Sequence, residues 1–290
     1  MGRPPISRII RIPAKESPMP LPARALSLEH ERVRDVRDWR SAATPLNALV
    51  LHLRYELDLR SEALQSPAND AAHIRLLHEV SLHEQMLAIA LLRTETDTRG
   101  FFAHLTRSAE ARRQLLMTAR QGGRSGRFTG TSHLQPFCDA LASGHDALAR
   151  ELARLSSRVW LQEEEYEEDF LYAHFLHLLV LEDFHPTAAH QALLDRWGRL
   201  ESAPDARRAV CHALMSQDAE AFDAALEARG REHEAHCDEL AALRLAPSAE
   251  ARTLRLVFVE GLALLRLATA RGLPTRREYR LMPALARVGG

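Results

Sequence analysis

A chain of 290 residues with 46% hydrophobic content has enough apolar surface to bury a substantial core, as one large domain or two closely packed halves. Its formal net charge of -1 removes the electrostatic case for a nucleic-acid or anionic-membrane partner, which a basic surface would announce. Cys138, Cys211 and Cys237 are odd in number and widely spaced, so they announce neither a disulfide framework nor a paired metal site, and a reducing cytoplasm is the simplest setting.

The opening stretch carries Pro4, Pro5, Pro13, Pro18 and Pro20, which remove backbone donors and block helix propagation. Residues 1–26 are therefore expected to be a flexible proline-rich tail and 27–290 a helical domain. The tail lacks the continuous apolar segment of a secretory signal. Thr44 followed by Pro45 reads as an N-cap and first helical residue, opening a helix to about Leu64 with Leu46, Leu49, Val50, Leu53 and Leu57 as its stripe. Ser66 and Pro67 restart the chain, and Ile74, Leu77, Leu82, Leu87 and Leu91 predict a second helix to about Thr94.

The middle is less regular. Gln114 to Met117 has the pattern of a short strand and Gly122, Gly123, Gly126 and Gly130 that of a turn, so a small β-hairpin at 112–128 is an expectation. These glycines lack the Gly-Lys-Ser/Thr ending of a phosphate-binding loop. Helical spacing returns with Leu134, Phe137, Leu141, Leu148, Leu152 and Leu155, broken near Gly144.

The acidic run Glu163 to Asp169 then leads into Phe170, Tyr172, Phe175, Leu176, Leu179 and Val180, apolar on nearly every face and so placed at the centre of the domain. Too short for a bilayer, this run also contains His174 and His177. Further helices are predicted at about 187–199, 204–215, 218–243 and 249–271, the last stopped by Gly272 and Pro274. Short connections favour antiparallel neighbours, so the fold class is mainly α: an irregular antiparallel multi-helix bundle or a helix-pair array.

The most specific stretch runs from Ser216 to His233, with Asp218, Phe222, Leu226 and His233 at helical intervals. With the Gly272–Pro274 turn, Tyr279 and Pro283, it resembles the immunity protein 49 family, and Gly130 to Leu141 and Glu165 to Phe170 resemble that family's middle helices more loosely. Where aromatic residues often follow the family histidine, His236 and Cys237 stand here. The resemblance implies a helical bacterial antidote of a polymorphic toxin system, which binds a cognate protein toxin and protects the producer or its kin. Homo-oligomerisation stays open.

Weighed as sites, Glu163, Glu164, Glu165, Glu167, Glu168 and Asp169 offer a negative patch that would steer a basic toxin surface, against the plainer reading of a solvated helix start. Tyr166 and Phe170, one turn apart, are expected to face the core. His233, Glu234, His236 and Cys237 have metal-ligand chemistry without the two-histidine spacing of a zinc helix, so His233 is better read as a hydrogen-bonded core residue. Glu182 and His185 have Glu-x-x-His spacing, but no second such pair completes a di-metal site, while Glu79 and His83 read as a surface pair. Ser132 beside His133 is not a nucleophile elbow. No metal, cofactor or catalytic residue is expected. A metal-dependent helical-bundle enzyme and a helix-repeat interaction scaffold remain the alternatives.

Overall fold

The computed structural model describes residues 46–66, 69–200, 205–242 and 249–287. The tail at 1–26, the Thr44–Pro45 helix start, Pro67 and Pro204 lie outside the described residues. Those described form eleven α-helices and no strand.

Helix α1 (Leu46–Leu64) buries Leu49, Val50, Leu53 and Leu57, the expected stripe, against α2 (Asp70–Glu95). Asn69 caps α2 by accepting from the Ala72 amide at 2.9 Å, an interaction worth about 1 kcal/mol. Thr96 closes the helix in the left-handed region at φ 53°. Asp97 immediately caps α3 (Thr98–Gln121) through the Gly100 amide, so the chain reverses in two residues and α2 and α3 pack as a hairpin.

That third helix replaces the expected β-hairpin at 112–128. Phe101, Leu105, Ala109, Arg112, Leu116 and Ala119 recur at three- and four-residue steps and are all buried, so the run at 114–117 is one turn of a long amphipathic helix. The tertiary contacts along its length overrode a local strand pattern. The glycines after it make an irregular loop with one 3₁₀ turn at Arg127–Thr129.

Helices α4 (Gln135–Ala142) and α5 (Asp146–Leu155) are divided at Gly144, whose φ of 79° suits only glycine without strain. As the sequence predicts, α6 (Glu167–Leu181) lies in the main core, burying Phe170, Leu171, Tyr172, Phe175, Leu176, Leu179 and Val180. It touches α5, α7 (Ala188–Trp197) and α8 (Ala206–Ser216). Next come α9 (Ala219–Ala242), α10 (Ala249–Leu254) and α11 (Val259–Ala270).

The single helix expected at 249–271 is thus two. The Phe258 amide leaves the helical ladder to donate to the Leu281 carbonyl at 2.8 Å, which ties the C-terminal segment across the break. A Cβ on Gly261 would lie 2.4 Å from the Met282 sulfur, so the seating of that segment on α11 requires glycine there. Helix α11 packs mainly on α4, and its Arg266 reaches Asp146 at 2.8 Å across 120 positions of sequence. None of the described helices is long and apolar enough to cross a membrane.

Two polar clusters interrupt the core. Largely buried Glu260 of α11 accepts from Arg229 Nε and Nη2 at 2.9 and 3.0 Å and from the Tyr172 hydroxyl at 2.8 Å. Burial pushes its pKa up, but the guanidinium more than offsets this and holds the carboxyl below its ordinary value. The second cluster lacks a cation. Fully buried Asp139 accepts from Gln85 and Ser108, each at 2.6 Å, and burial raises its pKa from 3.8 to about 7 against the pull of those two donors.

For Asp139 the folded state holds its proton to a higher pH than the unfolded chain does. Its contribution to stability is therefore greatest below about pH 4 and is lost as pH rises through about 7. Asp139→Asn keeps an acceptor for Gln85 and gives Ser108 a donor, as the neutral acid does. We expect the variant's advantage in unfolding free energy over wild type to grow between about pH 4 and about pH 7, approaching about 1.4 kcal/mol per pH unit. Denaturant titrations at several pH values measure it; parallel pH curves for the two proteins would refute it.

Candidate functional site

The acidic run falls in the connection between α5 and α6, and that connection is built as a rigid platform. Ser156 ends α5, and the chain turns so that the Glu164 and Glu165 amides both donate to the Leu161 carbonyl, at 2.9 and 3.1 Å. The Trp160 indole donates to the Glu165 carbonyl at 2.9 Å. Inside the turn, the Glu165 carboxylate accepts from the Ser132 amide at 2.8 Å and the Leu161 amide at 3.2 Å. Thr131 adds a bond to the Ser157 carbonyl at 2.7 Å. The 156–166 segment is therefore stitched to the glycine-containing loop that follows α3.

Beneath both loops lies Arg112, 3% exposed in the body of α3. Its guanidinium donates to the carbonyls of Phe128 and Gly130, the latter at 2.8 Å. Burial lowers its pKa to about 10, while the attraction of Glu165 works in the opposite direction, and the side chain remains charged at neutral pH. A Cβ on Gly130 would stand 3.0 Å from Glu165 Oε2, which explains a glycine where the two loops meet. His78 packs tilted against Phe128 and edge-on against His133, with ring centroids 5.0 and 5.2 Å away. Desolvation brings both histidines to about 4, so the ring cluster is neutral at physiological pH.

The structure divides the acidic residues by role. Glu165 is interior. Glu167 meets Arg196 at 2.6 Å and Asp169 meets Arg207, so both tie the start of α6 to α7 and α8. Glu163 and Glu164 are exposed and Glu168 half-buried. Only from Glu167 onward is the run helical. Glu164 and Glu168 accordingly do not form a helical i, i+4 pair. Tyr166, expected to face the core with Phe170, instead occupies the N-cap position and is 76% exposed, while Phe170 is 1% exposed. An extended backbone at the cap (ψ 144°) breaks the helical period between them. On the same loop Val159 is 70% exposed.

The remaining sequence candidates are scattered. Asp218 caps α9 through the Ala221 amide at 3.0 Å, and Phe222 and Leu226 of that helix are fully buried. His233 bonds the Leu254 carbonyl through Nε2 at 2.9 Å and stacks on Phe258 at 4.5 Å, so it fastens α9 to the end of α10. Tyr279 links its hydroxyl to Asp223 and to the Arg276 amide, and Pro283 precedes the 3₁₀ turn that ends the described chain. Glu182 and His185 are exposed, and His185 turns to the Asp183 carbonyl rather than to Glu182. His83 bonds the Glu79 carbonyl, whereas the Glu79 carboxylate pairs with Arg75 and Arg60. Among the described residues no group of three or more metal-ligating side chains gathers. Burial pushes the Cys237 thiol up to about 11, opposite to what a nucleophile needs.

Sequence reading missed Arg112, because one arginine in an apolar run reads as a solvated side chain, and missed Val159 and Tyr166 as outward anchors. The closeness of Gly130 to Glu165 likewise has no signal in the sequence.

A family model described as Immunity protein 49 matches residues 68–286, which span the platform, α9 and the C-terminal segment. No curated protein and no solved structure matches the chain significantly.

Because Arg112 satisfies two carbonyls and faces a buried carboxylate, Arg112→Met should destabilise the protein by about 3–5 kcal/mol. The damage should concentrate in 126–134 and 156–166, read as faster amide exchange there than in α8 and α9. Arg112→Lys lacks the fork that reaches both carbonyls and should restore little. Near-wild-type stability in either variant would show that the loops are held by other contacts.

Proposed function

Because the chain belongs to the Immunity protein 49 family, we propose that it binds a cognate protein toxin in the bacterial cytoplasm and neutralises it stoichiometrically, without catalysis, by covering the toxin's active site or substrate-binding surface. The observation that carries the reading is the platform between α5 and α6. It presents Tyr166 and Val159 beside Glu163 and Glu164 on a loop already fixed by Arg112, Glu165 and Trp160. Aromatic anchors supply much of the energy of protein interfaces. A prefixed loop loses little conformational entropy on binding, so more of the contact energy appears as affinity.

The exposed carboxylates complement a toxin with a basic cleft, as is common for toxins that act on nucleic acid. Glu163, Glu164 and Glu168 are proposed to steer its approach. Glu165, Glu167 and Asp169 contribute to the same face by holding the loop and the helix start in place.

Co-expression with the toxin encoded beside it tests the reading directly: the chain should restore growth and form a complex with that toxin, and failure of both would reject it. Within that complex, Tyr166→Ala should weaken binding about tenfold or more, chiefly through faster dissociation. Glu163→Lys with Glu164→Lys should slow association, most strongly at low salt. Unchanged rates in both variants would remove this face from the interface. The non-metal reading is tested separately: helicity by circular dichroism should be the same with and without a chelator, and a large loss on chelation would favour a metalloprotein.

A further inference from the structure

Against the start of the 156–166 loop the chain forms a cleft of about 350 Å³, between the end of α3 and the end of α5. Its walls carry Arg120, Arg124, Arg154 and Arg158, and no acidic residue lines it among the described residues. Four arginines around one concavity are unexpected in a chain with a net charge of -1. Several arginines elsewhere are paired closely, as with Arg196 and Glu167 at 2.6 Å or Arg266 and Asp146 at 2.8 Å. Here the pairing is nearly absent. Arg124 reaches Asp70 only at 3.6 Å, with both side chains about half exposed, and Arg120 uses one donor on the Arg154 carbonyl at 3.2 Å. Arg154 and Arg158 have no carboxylate within ion-pair distance among the described residues.

Unneutralised like charges gathered in a recess repel one another, an arrangement that a bound anion relieves. The field reaches neighbouring groups: His174 is held below its ordinary value first by burial and then by Arg158 and Arg196. The recess has the size of a small-molecule site, which typically spans about 300–1,000 Å³. Its floor is apolar, from Leu116, Leu155 and Leu161, and Ser125 adds a hydroxyl at the wall. A single carboxylate would leave most of the positive charge unmatched. A diphosphate group carries several negative charges on oxygens spaced for the two-pronged fork of arginine.

We propose that this cleft binds a small ligand bearing a diphosphate or comparable polyphosphate group, held by Arg120, Arg124, Arg154 and Arg158, with an apolar portion against Leu116, Leu155 and Leu161. The site is separate from the toxin-facing platform, although Leu161 and the 156–158 backbone belong to the same connection.

Isothermal titration of the full chain with sodium pyrophosphate, at fixed ionic strength and without any toxin, tests the assignment independently of the immunity reading. Wild type should bind pyrophosphate saturably. The Arg154→Ser, Arg158→Ser double variant should bind about tenfold or more weakly with unchanged helicity, since neither side chain pairs with a described carboxylate. Arg255→Ser, which alters an exposed arginine paired with Asp238 far along the chain, should bind as wild type does. Absence of saturable binding by wild type, or equal weakening by Arg255→Ser, would overturn the proposal. So would tighter binding of citrate than of pyrophosphate, which would assign the cleft to clustered carboxylates such as those of an acidic protein segment.

Discussion

A guanidinium taken out of water inside a helix is the constraint on which the exposed face depends. Arg112 has almost no solvent contact, so its donors must be met from within the protein. The carbonyls of Phe128 and Gly130 meet them, and Glu165 supplies the opposing charge. Those partners come from two loops that hold only one short 3₁₀ turn among the described residues. Satisfying one side chain therefore fixes both loops relative to α3, and everything the loops display inherits that position: the exposed Tyr166 and Val159, and the arginine-lined recess.

The rest of the core follows a related logic with a different balance. Around Glu260 the carboxylate, the guanidinium of Arg229 and the Tyr172 hydroxyl compensate one another, and three helices are locked by one ion pair and its hydrogen bond. Around Asp139 the partners Gln85 and Ser108 are neutral, so the carboxyl relieves its desolvation by keeping a proton. Two buried acids in one core thus have their pKa values displaced in opposite directions, decided by whether a cation stands beside them. The Asp139 cluster joins α4 to the α2–α3 hairpin, and the Glu260 cluster joins α11 to α6 and α9.

Much of this architecture is legible in the sequence where a helix has one side to bury. The stripes of α1 and α2, the break at Gly144, the all-round apolar α6 and the Gly272 stop follow from periodicity and backbone preference. Periodicity fails at α3 because Arg112 interrupts its apolar face, and its buried position follows only from loops folded over it. It fails again at residues 255–258, where the helix is broken by a contact with Leu281 that no local pattern announces. At the platform, composition reveals a run of acids, but not that Glu165 turns inward while Tyr166 turns outward. That division depends on Ser132 and Leu161 offering their amides to one carboxylate. The family resemblance drawn from α9 and the C-terminal segment agrees with a family match that spans residues 68–286.

The seating of α11 on α4 has a consequence for how the molecule comes into being. An ion pair such as Arg266 with Asp146 joins positions 120 residues apart, and α11 also brings Glu260 to the Arg229 and Tyr172 that wait for it. A chain emerging from the ribosome therefore exposes the apolar face of α4 that α11 covers until α11 has been made, and such late, non-local closure is slow and open to aggregation. Truncated products would carry the platform without the core that supports it, and protein quality control would meet them as unfolded chains. The complete fold would then lag behind the start of translation by the time needed to synthesise and dock this late helix.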